Sequence, residues 1–368
     1  MRSLVNGFGA HHGGIVRVHD ALCAELRAYG PVVVANAPRS PSGHGVDGVD
    51  GVDGVDGIEI ASTQRSSRVG SFLGDAWAAR RAPRFDVRVD AAPALRFLTR
   101  SRAHVVVVHD LNFRRPEIHG IGRGQWLYRV LLHHWTLRRA DRVVVNSRAT
   151  AAEVADFRPA AAAKTLVLPL PVDHVAVTGP VTPARDRADG ADGADGADRA
   201  DGTVCLLTFG HARNKGVDRL LRLLQERPDH RLTVIGTPDS WQAHWAATAD
   251  RLGVADRVTR LETPGDAEVV AAYLACDVFC MLSTYEGYGL PVAEALRLAR
   301  PTVVSDLPVL AETARGHAVV AQGDDDAAVA AAVDEARRRP VAAWESAARA
   351  FGAWTWRSWV ARAIGGLG

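Results

Sequence analysis

The segment Ser283–Leu296, STYEGYGLPVAEAL, holds the densest set of residues able to do chemistry. The apolar run Val278–Leu282 before it reads as a strand and the glycines as a turn. Pro291 then falls at the first helical position, where its fixed φ and missing N–H do no harm. Gly287 and Gly289 let the backbone come close to a bound molecule. The helix start beyond them presents N–H groups with no partner inside the helix, and such groups attract anions. Glu286 lies in the turn and Glu294 eight residues on, so both carboxylates can line one crevice and accept hydrogen bonds from vicinal hydroxyls. A purely structural turn before a helix is the plain alternative. The basic residues add a second clue. Of 44 Lys and Arg, only Lys164 and Lys215 are lysine, so a lysine kept against this bias is a candidate for a specific task.

Such residues need strands and helices to hold them. Strands are expected at Val32–Ala35, Val105–Val108, Arg142–Asn146, Thr165–Leu168, Val204–Phe209, Arg231–Ile235, Val278–Leu282 and Pro301–Ser305. Several are continuous apolar runs, as in parallel sheets covered on both faces. Helical patterns lie between them at Ile15–Tyr29, Gln125–Arg139, Lys215–Gln225, Asp266–Cys276, Pro291–Ala299 and Asp325–Arg338. This alternation predicts an α/β fold of two Rossmann-like, doubly wound domains facing across a cleft. The expected division is an N-terminal domain over 1–178, a low-complexity linker over 179–202, a C-terminal domain over 203–345, and a C-terminal helix over 346–368 packing back on the first domain. The VDG repeats of 46–57 and the ADG repeats of 188–202 read as flexible acidic surface insertions.

Length and composition agree. A chain of 368 residues is about two domains long, and 47% hydrophobic with 23% charged residues excludes a disordered chain. Residues 1–178 carry 23 basic against 16 acidic side chains, a net of +7, and residues 179–368 carry 21 against 26, a net of −5. The basic half suggests a phosphate-bearing or anionic partner, with solvated arginines as the alternative. Nucleic acid is not expected, since zinc-finger spacing, a basic zipper and arginine–aromatic RNA motifs are all missing. Cys23, Cys205, Cys276 and Cys280 read as buried thiols of a reducing compartment. Neither a signal peptide nor an apolar span of membrane length is visible, so a cytoplasmic protein is expected.

The chemistry-bearing segment resembles the signature of retaining family-4 glycosyltransferases of the GT-B fold: a Glu, a Gly-aromatic-Gly-Leu-Pro turn and a second Glu. The similarity continues in PTVVSDLPVLAE with Glu312, in FGHARNKGVDRLL, which looks like the family's phosphate-binding loop, and in HHGGIVRVHDAL, VVVVHDLNF and RRADRVVVNSRATAAEV. The resemblance implies that Glu286 holds hydroxyls of a donor sugar and Glu294 the ribose of its nucleotide. It implies that backbone N–H groups of Gly287, Tyr288, Gly289 and Leu290 contact the sugar and phosphate. Gly210 opens the loop in which Lys215, with Arg213 close by, clamps the diphosphate. Positive groups at that point favour the transition state, because the leaving group gains charge. The family's loop usually has an Arg directly after its Gly, and this chain has His211, so either Arg213 or His211 takes that place. Gly13 and Gly14 imply a close approach of the first helix to phosphate or acceptor, and Arg17 a contact with an acceptor phosphate. His109, at a strand end, is implied to meet the donor sugar or acceptor; Asp110 either orients its imidazole or touches the acceptor.

Other features carry structural readings. The stretch from Gly7 to Gly13 has the wrong count for a dinucleotide fingerprint, and no acid closes the second strand, which weakens a nicotinamide oxidoreductase. Asn146-Ser147 and the cluster Asp324-Asp325-Asp326 read as helix caps, so no metal is expected. Trp354, Trp356 and Trp359 in the tail suit inter-helix packing, with an interfacial membrane helix as the rival. The resulting expectation is a retaining, metal-independent glycosyltransferase without a cofactor. It would move a sugar, with mannose from a guanosine donor as first choice, from a nucleotide-diphosphate sugar to a glycan, lipid-linked or small-molecule acceptor. Peripheral contact with an anionic membrane, at the inner face of the plasma membrane, is compatible with the basic half. The alternative class is a non-catalytic nucleotide- or glycan-binding protein on the same fold.

Overall fold

The computed structural model of the protein describes residues 1–6, 13–35, 58–60, 84–94, 100–119, 121–175, 202–236, 239–323 and 325–367. The VDG insert, Asp324 and nearly all of the ADG tract and linker lie outside these residues. The chain divides into two units, one of Met1–Pro171 with Thr355–Gly368 and one of Val172–Trp354.

In the first unit, seven strands form one sheet: β1 (Ser3–Asn6), β2 (Val32–Ala35), β3 (Ile58–Ile60), β4 (Phe85–Asp90), β5 (Ser101–Val108), β6 (Arg142–Val145) and β7 (Thr165–Val167). Their order is β3-β2-β1-β4-β5-β6-β7, and every pairing is parallel. Helices α1 (Gly13–Leu26), α2 (Pro116–His119), α3 (Arg123–Arg139) and α4 (Arg148–Phe157) accompany them. Val105–Val108 is buried throughout, which is why it reads as an unbroken apolar run. Val106, Val108, Leu111, Phe113, Leu137 and Val154 share one core cluster. Ser147 caps α4 by accepting the Thr150 N–H at 3.0 Å. Strands β4 and β5 also bury charge: Asp90 takes Arg88 Nε at 2.8 Å and His104 Nε2 at 2.7 Å. Burial raises the Asp90 pKa, but Arg88 and His104 outweigh it together and hold the carboxyl at about 2.

The second unit repeats the plan with β8 (Val204–Phe209), β9 (His230–Ile235), β10 (Val258–Leu261), β11 (Val278–Met281), β12 (Thr302–Ser305) and β13 (Val319–Ala321). The order is β10-β9-β8-β11-β12-β13, again all parallel. Its helices are α5 (Val217–Glu226), α6 (Asp239–Arg251), α7 (Asp266–Ala275), α8 (Leu290–Arg297), α9 (Pro308–Ala314), α10 (Asp326–Arg338) and α11 (Val341–Gly352). Asp325 caps α10 by accepting the Ala328 N–H at 2.5 Å. Both sheets are therefore doubly wound, and each reverses its strand order beside its first strand.

The tail departs from a single helix over 346–368. Residues up to Trp354 stay with the second unit, while Thr355–Gly368, holding α12 (Trp356–Ile364), groups with the first. Trp356 and Trp359 are buried, and Trp359 Nε1 donates to the Leu168 carbonyl at 3.3 Å. An interfacial membrane role for this helix is thereby overturned, since its indoles lie in a protein core. Cys23, Cys276 and Cys280 are buried and Cys205 half-buried, all as free thiols. Burial pushes the Cys276 thiol up to about 12 and raises that of Cys280 as well. No helix among the described residues is long and apolar enough to cross a membrane.

Candidate functional site

In a doubly wound sheet the loops at the carboxyl ends of the strands flanking the order reversal form the natural ligand site. In the second unit these are the loops after β8 and β11, and they carry Lys215 and Glu286. The β8 loop starts at Gly210, whose N–H bonds the Ile235 carbonyl at 2.8 Å. It ends in a single 3₁₀ turn, Arg213–Lys215, followed by Gly216 at φ +72°. A Cβ at Gly216 would stand 2.3 Å from the Leu282 carbonyl oxygen, so only glycine permits this approach of the two loops. Asn214 fastens them further: its Nδ2 donates to the Tyr285 carbonyl at 2.7 Å and its carbonyl accepts the Thr284 N–H at 2.9 Å.

This seam brings Lys215 Nζ to Glu286 Oε1 at 2.6 Å. The side chains are only 8% and 11% exposed, so the pair is shielded from water and each group fixes the other. An ammonium has three donors, and this bond uses one of them. After Glu286 the chain turns through Gly289, at φ +89°, into α8. A Cβ there would lie 2.6 Å from Leu310 Cδ2. Tyr288 is buried; its carbonyl accepts Thr313 Oγ1 at 2.5 Å, and burial, opposed by Arg315, pushes its hydroxyl up to about 12. Leu290 is the first residue of α8; Pro291 carries no N–H and the Val292 N–H donates to the Gly289 carbonyl at 2.9 Å, so the Leu290 N–H is the one at the helix start without a partner inside the helix.

Glu294 lies within α8 and is buried. Its Oε2 accepts the Tyr273 hydroxyl and its Oε1 accepts His174 Nε2, both at 3.1 Å. Tyr273 has one proton for two acceptors, since the Pro291 carbonyl also lies at 3.1 Å. Glu286 and Glu294 thus have separate partners. Tyr273 and His174 join the candidate site without any motif that marks them in the sequence, while Asn214 falls in the loop FGHARNKGVDRLL beside Lys215 but carries no signal of its own there. Arg213 and His211 are both exposed on the same loop, so either can reach an anion there.

In the first unit, His109 and Asp110 directly follow β5 at the carboxyl end of the sheet. His109 Nε2 donates to the Ala91 carbonyl at 2.9 Å. A carbonyl can only accept, so Nε2 carries the proton and Nδ1 is the acceptor of the neutral ring. Burial lowers the His109 pKa. Its imidazole is oriented by Ala91; Asp110 instead accepts the Asn112 N–H at 3.1 Å and shapes the following turn. Gly13 and Gly14 begin α1, and Arg17 follows half-buried on the same helix. Among the described residues no group of three or more His, Cys, Asp or Glu is placed to hold a metal ion.

Two family models match this chain. Glycosyltransferase Family 4 covers residues 12–175 and Glycosyl transferases group 1 covers residues 199–350. The chain belongs to the family-4 glycosyltransferases of the GT-B fold. Among curated relatives of this glycosyltransferase family, the D-inositol 3-phosphate glycosyltransferase of Mycobacterium sp. (strain KMS) is 35% identical over 102 residues, 26% of this chain and 23% of that protein. The protein of the same name from Geodermatophilus obscurus is 30% identical over 245 residues, 62% of this chain and 52% of its own length. The chain thus spans about half or less of these relatives. A solved structure of Anabaena HepE in complex with UDP and glucose has a TM-score of 0.71 at 18% identity, covering 99% of both chains, and shows the same fold.

Proposed function

We propose that the chain transfers a sugar from a nucleotide-diphosphate donor to an acceptor hydroxyl, with retention of configuration and without a metal. The observation that carries this reading is the shielded Lys215–Glu286 pair at the order reversal of the second sheet, with Glu294 held nearby by Tyr273 and His174. Glu286 has a fixed carboxylate for sugar hydroxyls, and its second oxygen is left to accept them. Glu294, held by Tyr273 and His174, accepts from a ribose diol. Lys215, with the exposed Arg213 or His211 and the first turn of α8, stabilises negative charge as the diphosphate leaves. The acceptor attacks the face from which the diphosphate departs, and the leaving phosphate takes the acceptor's proton. His109 Nδ1 accepts a hydrogen bond from a sugar or acceptor hydroxyl.

The basic N-terminal half and the relatives named for D-inositol 3-phosphate both favour a phosphate-bearing acceptor, with Arg17 as a contact. Guanosine-linked mannose and uridine-linked glucose are the two donors to be told apart; the HepE structure, which holds UDP and glucose, favours the second. The test is incubation with GDP-mannose, UDP-glucose and UDP-N-acetylglucosamine, with and without D-inositol 3-phosphate, reading nucleotide diphosphate release and the anomeric configuration of the product. Release from one donor, stimulated by acceptor and giving the donor's anomer, is expected. Absence of release from every donor, an inverted product or a trapped covalent glycosyl-enzyme would contradict the reading.

A further inference from the structure

Helix α1, GGIVRVHDALCAEL, buries Val18, His19, Leu22, Cys23 and Leu26 along one face, and the helix packs on β1, β2 and α12. Three of its residues form a cluster that packing alone does not need. His19 and Cys23 are four residues apart, so one helical turn sets them side by side. His19 Nε2 lies 3.7 Å from Cys23 Sγ, and its Nδ1 lies 2.9 Å from Asp20 Oδ1. An ionised carboxylate only accepts, so Nδ1 carries a proton and Nε2 is the ring atom left to take one from the thiol. A nucleophile, a base and a group that orients the base thus stand in bonded sequence.

Charge and position set Cys23 apart from the more deeply buried thiols. Burial lowers the His19 pKa, but Cys23 and Asp20 outweigh it and hold the imidazole at about 9. The ring therefore stays cationic beside the sulfur at neutral pH, the setting in which thiols act as nucleophiles. Cys276 is held in the opposite state: its Sγ donates to the Tyr273 carbonyl at 3.2 Å, and burial keeps its proton on. Cys280 is fully buried, and burial raises its pKa too. Cys23 is 7% exposed and sits at the margin of the buried face. At 100° per residue it falls between buried Leu26 and Asp20, whose side chain is 61% exposed, with exposed Arg27 one turn beyond it. The sulfur is approached from that side.

We propose that Cys23, activated by His19 and Asp20, is a nucleophilic thiol that exchanges with small disulfides. Its sulfur attacks one sulfur of the disulfide, and a mixed S–S bond forms as the old one breaks. The departing thiolate takes up the proton that the Cys23 thiol gave to His19. This chemistry stands apart from glycosyl transfer and is tested without it. The whole protein is treated at pH 7 with dithiodipyridine, a small uncharged disulfide whose released thione gives the rate, and peptide mass spectrometry identifies the cysteine. An unpaired thiol is only about 3% ionised at that pH, so Cys23 should react about tenfold faster in the folded protein than in urea. It should also react before Cys205, which is more exposed. Cys23→Ser should remove the fast step, and Asp20→Asn, at an exposed position, should slow it several-fold with unchanged melting. His19→Gln should bring it to or below the rate measured in urea. Folded protein in which Cys23 reacts more slowly than in urea would overturn the proposal, as would a fast step that Asp20→Asn and His19→Gln leave unchanged.

Discussion

The Lys215 ammonium and the Glu286 carboxylate meet at 2.6 Å in a place where water scarcely reaches, so removing either one strands the other. Lys215→Ala should therefore destabilise the second unit by about 3 kcal/mol in denaturant melts. Replacing both partners, as Lys215→Met with Glu286→Leu, should recover most of that loss while leaving the site inactive. A double variant no more stable than Lys215→Ala would mean that the pair is not the source of the effect. Gly216 makes a second prediction. At φ +72° and with Leu282 O where a Cβ would go, Gly216→Ala should cost at least about 2 kcal/mol and loosen the seam between the loops. Glu286, Glu294 and Lys215 were legible because each sits in a local pattern around a strand end. Tyr273 and His174 were not, since they reach Glu294 from a different helix and from the segment after β7, and no spacing in the chain records that meeting.

Elements whose residues are buried on both faces announced themselves as apolar runs, and β5, β8 and β11 fall where such runs were read. β4 did not, because FDVRVD buries Arg88 and Asp90 and so mimics a strand with one wet face. β10 was missed for the opposite reason: it is a short sheet-edge strand with no fully buried residue. Buried polar groups in the first unit also set its response to acid. Burial holds His133 at about 4, against an ordinary value of 6.5, opposed by its bond to the Arg129 carbonyl. The unfolded chain takes up this proton first, so the stabilisation is intact above about pH 6.5 and is lost as the pH falls towards 4. The loss should amount to about 3 kcal/mol, and His133→Asn should flatten that part of the profile, His109 keeping the rest. Asp90 acts below this window. Its stabilisation is intact above about 3.8 and disappears as the pH falls towards 2. Urea melts from pH 7 to 3 measure the His133 step, and stability that stays level between 6.5 and 4 would contradict it.

At the scale of the molecule, the chain builds the same doubly wound plan twice and then returns its last helix to the first unit. That return depends on α12, where Trp359 is fully buried against Leu168. Trp359→Ala should cost the first unit about 3–5 kcal/mol, read as a lower melting temperature. The two-domain plan was legible from alternation of strands and helices; the crossing point was placed at 346 rather than near 355 because α11 and α12 form one nearly continuous helical pattern in sequence. The donor half of the proposed reaction rests on the order reversal of the second sheet, and one measurement tests that most directly. Nucleotide diphosphate release from the preferred donor is compared between wild type and Glu286→Gln, which keeps the shape of the side chain and removes its charge. A fall of about a hundredfold at unchanged fold, judged by circular dichroism, is the predicted result. Release at the wild-type rate would contradict the assignment of the site.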